Sequence, residues 1–258
     1  MAGNPTRSEV TAVHGRVPSP LLAPTVVLVH GAFTDASSWT GVIRLLHAAG
    51  LTVRAPANPL RGLAHDAAYV RSVLRQIDAP VVLVGHGYGG AVVTDAAADA
   101  GNVVALGYVA AFGLDAGESL LDVTHRFSPV PGADTVFSAS AAAPSPVAAD
   151  GELFIRAERF LQMYAADLPP RVTRALSVRQ RPLAHSALTA GSGPPAWASK
   201  PSWYAIAAAD RLLDPTAQRF MAQRMAATEY LVDGSHALVL SRPDAVAAMI
   251  RAAAGGER

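Results

Sequence analysis

The sequence predicts an α/β protein with a mostly parallel central sheet and helices on both faces. Short β-branched runs, such as residues 25–29 and 81–84, alternate with longer segments of helical periodicity. Each of these runs leads into a glycine-containing turn. A strand that continues through a helix into the next strand forms a parallel pair, and parallel sheets are covered on both faces.

The first half of the chain supplies four strands and three helices in alternation. Gly50 closes the first helix, and Pro56 and Pro59 force a loop after the second strand. A glycine-rich turn joins the third strand to an Ala/Val-rich helix that ends near residue 100. The predicted strands are 25–29, 51–55, 81–84 and 103–109, and the other predicted helices are 37–49 and 64–77.

The second half interrupts this alternation and then resumes it. Prolines punctuate residues 112–200 around helical pieces such as 151–165, which predicts an inserted cap over about 113–200. The pattern then gives strands at 202–207 and 228–232 and helices at 215–225 and 243–254. Residues 1–24 have no continuous apolar stretch and are predicted to be a flexible tail before one domain, 25–258.

Composition favours a single globular domain that acts on a small molecule. The chain has 258 residues, of which 51% are hydrophobic and 16% charged, with a net charge of +1. Interspersed charges give no field that would gather nucleic acid or an anionic membrane, and no apolar run is long enough to span a bilayer. The absence of cysteine excludes disulfides and thiol catalysis and favours the cytoplasm.

The glycine-rich turn at residues 85–90 is the most informative motif. A strand, a sharp turn and a helix form the setting of a nucleophile elbow, whose pattern is G-x-S-x-G. The middle residue here is Gly87, which has no hydroxyl. Gly85, Gly87 and Gly90 also fit the dinucleotide pattern G-x-G-x-x-G. That pattern usually opens the first strand–helix unit, with an acid ending the next strand, and neither condition holds here. We therefore expect no cofactor.

Four segments carry a resemblance to a known family over residues 25–250. With these segments, the chain resembles the esterase and hydroxynitrile-lyase branch of the α/β-hydrolase family, which implies the α/β-hydrolase fold with a helical cap. The family order of nucleophile, acid and histidine maps onto Gly87, Asp210 and His236, so two of three match. The segments are 27–33, 85–90, 208–211 and 233–237.

The resemblance also implies an oxyanion hole and a substrate pocket. Backbone N–H groups of Ala32 and Tyr88 are the expected donors, and backbone donors do not depend on side-chain identity. Phe33 is a further candidate donor. Large apolar residues of the cap region are candidates to shape the pocket, although core packing is the simpler role for each. The substrate-binding candidates are Phe33, Phe112 and Trp197.

Two assignments depend on local context. Asp210 ends the strand 202–207, where its carboxylate could hold an imidazole, whereas Asp214 precedes Pro215 and fits a helix N-cap. His30 and His86 each neighbour a glycine at a strand end, but no H-x-x-x-H or H-E-x-x-H spacing accompanies them. We therefore predict Asp210 as the acid and expect no metal.

A glycine at residue 87 changes the expected chemistry. It relieves the backbone strain typical of an elbow and excludes hydrolysis through an acyl-enzyme. Two origins stay open: an inactivated esterase, or a natural enzyme in which His236 acts as a general base without covalent catalysis. The second would allow proton abstraction, decarboxylation, lysis, cyclisation or activation of a water molecule. The alternative is a non-catalytic protein that binds a small molecule on the same fold.

Overall fold

The computed structural model describes residues 23–127, 137–139 and 151–255. The predicted tail, residues 1–24, therefore lies outside the described residues except for its last two. Within the described ranges, no helix combines the length and apolar character needed to cross a membrane.

Within the described residues, six strands form one parallel sheet, and three strands form a second, antiparallel sheet. The order in the large sheet is β2-β1-β3-β4-β8-β9, and that in the small sheet is β5-β6-β7. The strands are β1 Thr25–Val29, β2 Thr52–Arg54, β3 Val81–His86, β4 Val103–Val109, β5 Phe137–Ala139, β6 Glu152–Ile155, β7 Leu183–Ala184, β8 Ser202–Ala207 and β9 Thr228–Val232.

Helices connect the parallel strands and fill the segment between β4 and β8. Short 3₁₀ turns lie at Ala36–Trp39 and Ala196–Ala198. The α-helices are α1 Thr40–Ala48, α2 Leu63–Leu74, α3 Tyr88–Ala96, α4 Leu120–Phe127, α5 Ala157–Met163, α6 Pro170–Ser177, α7 Ser186–Thr189, α8 Pro215–Arg224, α9 Leu238–Ser241 and α10 Pro243–Gly255.

The central strands bury both of their faces. Successive side chains of a strand point to opposite sides, so Val27 and Val29 join one apolar cluster while Val26 and Leu28 join the other. Helices α2, α3 and α8 contribute to the first cluster, and α1 and α10 to the second. The predicted parallel sheet with helices on both faces is confirmed.

The helix predicted at residues 151–165 is wrong in its first part. Residues 152–155 form β6, which pairs with both β5 and β7, and the helix begins only at Ala157. Leu153 and Ile155 are buried while Glu152 and Phe154 are half-buried, which is the alternation of a strand rather than a helix. Sheet pairing distant in sequence therefore overrides the helical pattern.

The first predicted helix also differs at its start. A 3₁₀ turn precedes α1, and the side chain of Asp35 caps it by accepting a hydrogen bond from the Ser37 N–H at 2.7 Å. The loop between the end of β1 and this 3₁₀ turn is therefore short.

The loops after β1, β3, β8 and β9 all leave the carboxyl edge of the parallel sheet, where ligand sites of α/β folds lie.

Candidate active site

The turn between β3 and α3 has a conformation that favours glycine. Gly87 has φ 53° and ψ −122°, a region that costs a residue with a Cβ on the order of 1–3 kcal/mol. The turn therefore has the backbone conformation of an elbow, which glycine adopts without the strain that a Cβ would cause. The Gly87 N–H donates to the Val109 carbonyl at 3.2 Å, and its carbonyl accepts from Phe112 N–H at 3.0 Å.

The neighbouring glycines are explained by close backbone packing. A Cβ on Gly85 would lie 2.4 Å from the Gly89 carbonyl oxygen, and one on Gly90 would lie 2.5 Å from that of Phe112. A Cβ on Gly89 would lie 2.5 Å from the Val29 carbonyl oxygen. Such contacts exclude any side chain, so the glycine spacing needs no bound phosphate to account for it.

His236 and Asp210 form a buried pair at the carboxyl edge of the sheet. His236 Nδ1 lies 2.8 Å from Asp210 Oδ2. Because a carboxylate only accepts hydrogen bonds, Nδ1 carries the proton in this contact and leaves Nε2 with a lone pair in the neutral ring. Asp214 instead caps α8 by accepting from Thr216 N–H at 2.7 Å. The structure thus places Asp210, and not Asp214, against the histidine.

Asp210 is held by three further donors. Its Oδ1 accepts from the N–H groups of Leu212 at 2.8 Å and Leu213 at 3.0 Å, and its Oδ2 accepts from Gln218 Nε2 at 2.8 Å. Gln218 is fully buried and accepts through Oε1 from the Ala207 N–H at 2.9 Å. These contacts fix the carboxylate while leaving Oδ2 directed at the imidazole.

His236 Nε2 faces the tip of the turn. A Cβ built on Gly87 would lie 3.0 Å from Nε2 and 3.4 Å from Cε1. The buried His86 holds the backbone here, because its Nε2 lies 2.9 Å from the His236 carbonyl oxygen and must donate to it. The two imidazole rings are 4.9 Å apart between centroids. The structure therefore brings Gly87, Asp210 and His236 together.

The predicted oxyanion donors border the same point. The Cα of Gly31 lies 3.8 Å from the position of a Gly87 Cβ, so the loop after β1 adjoins the turn. Tyr88 is the first residue of α3, and its N–H has no preceding helical carbonyl to bind. The Ala32 N–H has no acceptor within the described residues. Their role in stabilising an oxyanion stays a prediction.

The substrate-binding candidates have different surroundings. Phe33 has φ 63° and lines a cavity of about 150 Å³ together with Thr34, Leu176 and other residues. Phe112 is half-buried and adjoins Gly87 through its backbone. Trp197 donates to the Leu114 carbonyl at 2.8 Å and packs 5.6 Å from the Arg224 guanidinium, a structural role. Contact of any of the three with a substrate stays a prediction.

Two other histidines near the site, His30 and His86, are buried. Burial lowers the pKa of His30 to about 4 and that of His86 to about 3, so both are neutral near pH 7. His30 Nε2 accepts from the Asn58 N–H at 2.9 Å, which also requires the neutral ring. Within the described residues, no group of three or more His, Cys, Asp or Glu side chains is placed to hold a metal ion.

The lowered pKa values of His30 and His86 predict that the free energy of unfolding decreases as the pH falls. Their folded-state pKa values lie below the ordinary value of 6.5, so the unfolded chain binds more protons below about pH 6.5. The free energy of unfolding should be constant above that pH and fall by up to about 1.4 kcal/mol per pH unit for each histidine towards pH 4. Urea unfolding between pH 5 and 7 measures the slope. His86→Gln should reduce it and the exposed His47→Ala should not; equal slopes would contradict the assignment.

A second stability prediction concerns Gly87 itself. Gly87→Ala should lower the free energy of unfolding by about 1–3 kcal/mol, because the new Cβ meets His236 and the backbone φ is positive. Gly101→Ala is the matched control, since a Cβ there contacts nothing within 4 Å. Thermal or urea unfolding of both variants measures the difference. Identical midpoints for the two would contradict the conformational argument.

Sequence reasoning missed several residues that hold the site. Gln218 orients Asp210, His86 binds the His236 carbonyl, and Asp167 binds Ser235 next to His236. Gln218 lies eight residues after Asp210, on the buried face of α8. A polar residue on the apolar face of a predicted helix is a weak indication of such a role. Nothing local marks Asp167, because its partner is 68 residues away.

Solved structures share this architecture at low sequence identity. Polyneuridine aldehyde esterase is 19% identical, with a TM-score of 0.74, over 88% of this chain and 98% of that one. A pyrethroid hydrolase from Sphingobium faniae JZ-2 is 20% identical, with a TM-score of 0.73, over 90% and 97%. Tomato methylketone synthase I, solved with 2-tridecanone, is 16% identical, with a TM-score of 0.74, over 92% and 100%.

The family assignment comes from the sequence profile rather than from these structures. No curated protein matches the chain in sequence. The profile of the α/β-hydrolase family, however, matches residues 26–249, which is most of the chain. The match includes the turn at Gly87, Asp210 and His236. Together with the six-stranded parallel sheet and its covering helices, it shows that this chain belongs to the α/β-hydrolase family.

Proposed function

We propose that this protein is an enzyme that acts on a small carbonyl compound through His236 as a general base, without a covalent intermediate. The single observation that carries the proposal is the position of His236 Nε2, 3.0 Å from where a Gly87 Cβ would stand. A general base works when it lies within hydrogen-bonding reach of the proton it removes. With no side chain at Gly87, a substrate atom or a water molecule can occupy that space.

The proposed chemistry needs a neutral base and a site for developing negative charge. Asp210 holds Nδ1–H at 2.8 Å, which keeps the lone pair on Nε2 and stabilises the imidazolium formed after proton transfer. The N–H groups of Ala32 and Tyr88 would donate hydrogen bonds to the negatively charged substrate oxygen of an enolate or an alkoxide. Neither step requires a nucleophile on the protein.

The structural neighbours favour carbonyl compounds as the substrate class. The three compared above are polyneuridine aldehyde esterase, a pyrethroid hydrolase and a methylketone synthase. A variant of the synthase was solved with β-ketoheptanoate, which carries both a ketone and a carboxylate. A reaction that passes through an enolate is therefore our preferred form of the proposal.

Proton NMR in deuterated buffer tests the proposal on a small panel of compounds. The panel contains simple ketones, medium-chain β-keto acids, cyanohydrins and aryl esters, so that α-proton exchange, decarboxylation, lysis and hydrolysis are each visible. We expect the protein to accelerate α-proton exchange of at least one ketone or β-keto acid, and Asp210→Asn to lose most of that rate. Binding without any conversion would instead support a non-catalytic binding protein, and equal rates for the two proteins would exclude the His236–Asp210 mechanism.

A further inference from the structure

Asp167 joins the segment between β4 and β8 to the loop that carries His236. It lies between α5 and α6, and its two carboxylate oxygens accept both donors of Ser235: the N–H at 3.0 Å and the hydroxyl at 2.5 Å. These hydrogen bonds lower the pKa of Asp167, which therefore binds Ser235 as a carboxylate at neutral pH.

Ser235 also binds the residue that follows His236. Its Oγ accepts a hydrogen bond from the Ala237 N–H at 3.2 Å, which links the residues before and after His236 in the sequence. Ser235 is only 1% exposed while Asp167 is bound to it, although Asp167 itself is exposed. The position of His236 in the loop thus depends on an acceptor supplied by a residue 68 positions earlier in sequence.

Tyr164 reinforces the same link. Its ring packs edge-on against the His236 imidazole, 5.2 Å between centroids, and its carbonyl oxygen lies 3.3 Å from Ser235 Oγ. The hydroxyl of Tyr164 is buried next to Thr34. The segment Tyr164–Asp167 therefore covers the imidazole and binds the residue that precedes it.

Loss of the Asp167 carboxylate would leave the buried Ser235 N–H without an acceptor and the Ser235 hydroxyl with only the longer contact to the Tyr164 carbonyl at 3.3 Å. An unsatisfied buried donor is unfavourable, so the loop should move until the Ser235 N–H and hydroxyl find other partners. Such a movement changes the distance between His236 Nε2 and the space above Gly87. A misplacement of about 1 Å in an active site can reduce turnover about 100-fold.

We propose that Asp167 is a positioning residue, which acts through Ser235 to hold His236 at the distance from Gly87 that proton transfer requires. The inference rests on the proposed function for its effect on turnover, but not for its effect on the imidazole. Asp167 itself touches neither Gly87 nor His236 through any hydrogen bond in the described residues, and so is not assigned a catalytic step.

The test compares Asp167→Asn with Asp233→Asn in the full chain. Asp233 is an exposed residue two positions before Ser235 and forms no hydrogen bond in the described part of the chain, so its substitution makes the same charge change without breaking the link. Two measurements on each variant do not depend on activity: the ¹⁵N and ¹H NMR signals of the His236 ring, and hydrogen exchange of the Ala237 amide.

In Asp167→Asn we expect shifted His236 ring signals, faster Ala237 exchange and a kcat lowered about 10- to 100-fold with little change in KM. Asp233→Asn should match the original protein in each, and Asp167→Glu should recover part of the loss. If Asp167→Asn does not fold, Ser235→Ala removes one of the two hydrogen bonds and should shift the ring signals in the same direction.

The outcomes separate the two proposals. Unchanged ring signals and amide exchange in Asp167→Asn, or in Ser235→Ala where the first variant does not fold, would overturn the positioning role whatever the activity. Altered ring signals in a protein that converts none of the panel compounds would support the positioning of His236 while contradicting the proposed function.

Discussion

Replacing His236 with alanine should lower turnover by about 10²- to 10⁴-fold, the contribution of a well-placed general base. The unprotonated Nε2 of the imidazole faces the space above Gly87. Asp210 binds the other ring nitrogen, so it acts on a substrate only through His236. The predicted oxyanion donors and substrate-binding residues remain in the variant, so binding should change less than turnover. Steady-state kinetics on any compound converted in the NMR panel measures both.

His47→Ala controls for the loss of a histidine, because His47 is exposed on α1. Thermal melting shows whether His236→Ala, which removes a ring that is only 4% exposed, still folds. Turnover in folded His236→Ala equal to that of the original protein would remove the imidazole from the mechanism.

Introducing serine at residue 87 should create an ester hydrolase. The Cβ would lie 3.0 Å from His236 Nε2, so a rotamer of the hydroxyl can reach the imidazole and be activated by it. Gly87→Ser should therefore hydrolyse short aryl esters on the order of 10³-fold faster than the original protein, with a burst from acyl-enzyme formation. It should also be less stable by about 1–3 kcal/mol, because the backbone φ of 53° strains a residue with a side chain.

The double variant Gly87→Ser with His236→Ala is the matched control. Hydrolysis should return to the level of the original protein, since a serine hydroxyl without a base is a weak nucleophile. Gly87→Ser that shows no burst, or that melts clearly above the original protein, would contradict the geometry assigned to the turn.

The sheet could be predicted from sequence because its strands are short, β-branched and buried on both faces. Residues 25–29 illustrate this, since every one of them is buried and their bounds match the prediction. Residues 151–165 illustrate the limit, because the strand Glu152–Ile155 exists only through pairing with Phe137–Ala139 and Leu183–Ala184. Contacts made across the fold are not encoded in a local pattern.

The residues of the candidate site likewise include some that the sequence could locate and some that it could not. Gly87, Asp210 and His236 could be located because each follows a recognisable strand and the family order links them. Gln218 and Asp167 could not, because Gln218 is identified only by its contact with Asp210, and Asp167 only by its contact with Ser235, the residue before His236. The bond from Trp197 to the Leu114 carbonyl likewise has no local signal in the sequence, and contact of Trp197 with a substrate stays a prediction.

Intact-protein mass spectrometry of samples quenched during turnover tests the central claim, that the reaction proceeds at His236 without a covalent intermediate. With a compound that the NMR panel shows to be converted, we predict the mass of the unmodified chain at every time point. Gly87→Ser treated with an aryl acetate is the positive control and should show an acetyl adduct. An adduct on the original protein that accumulates during turnover and disappears when the substrate is exhausted would contradict the account.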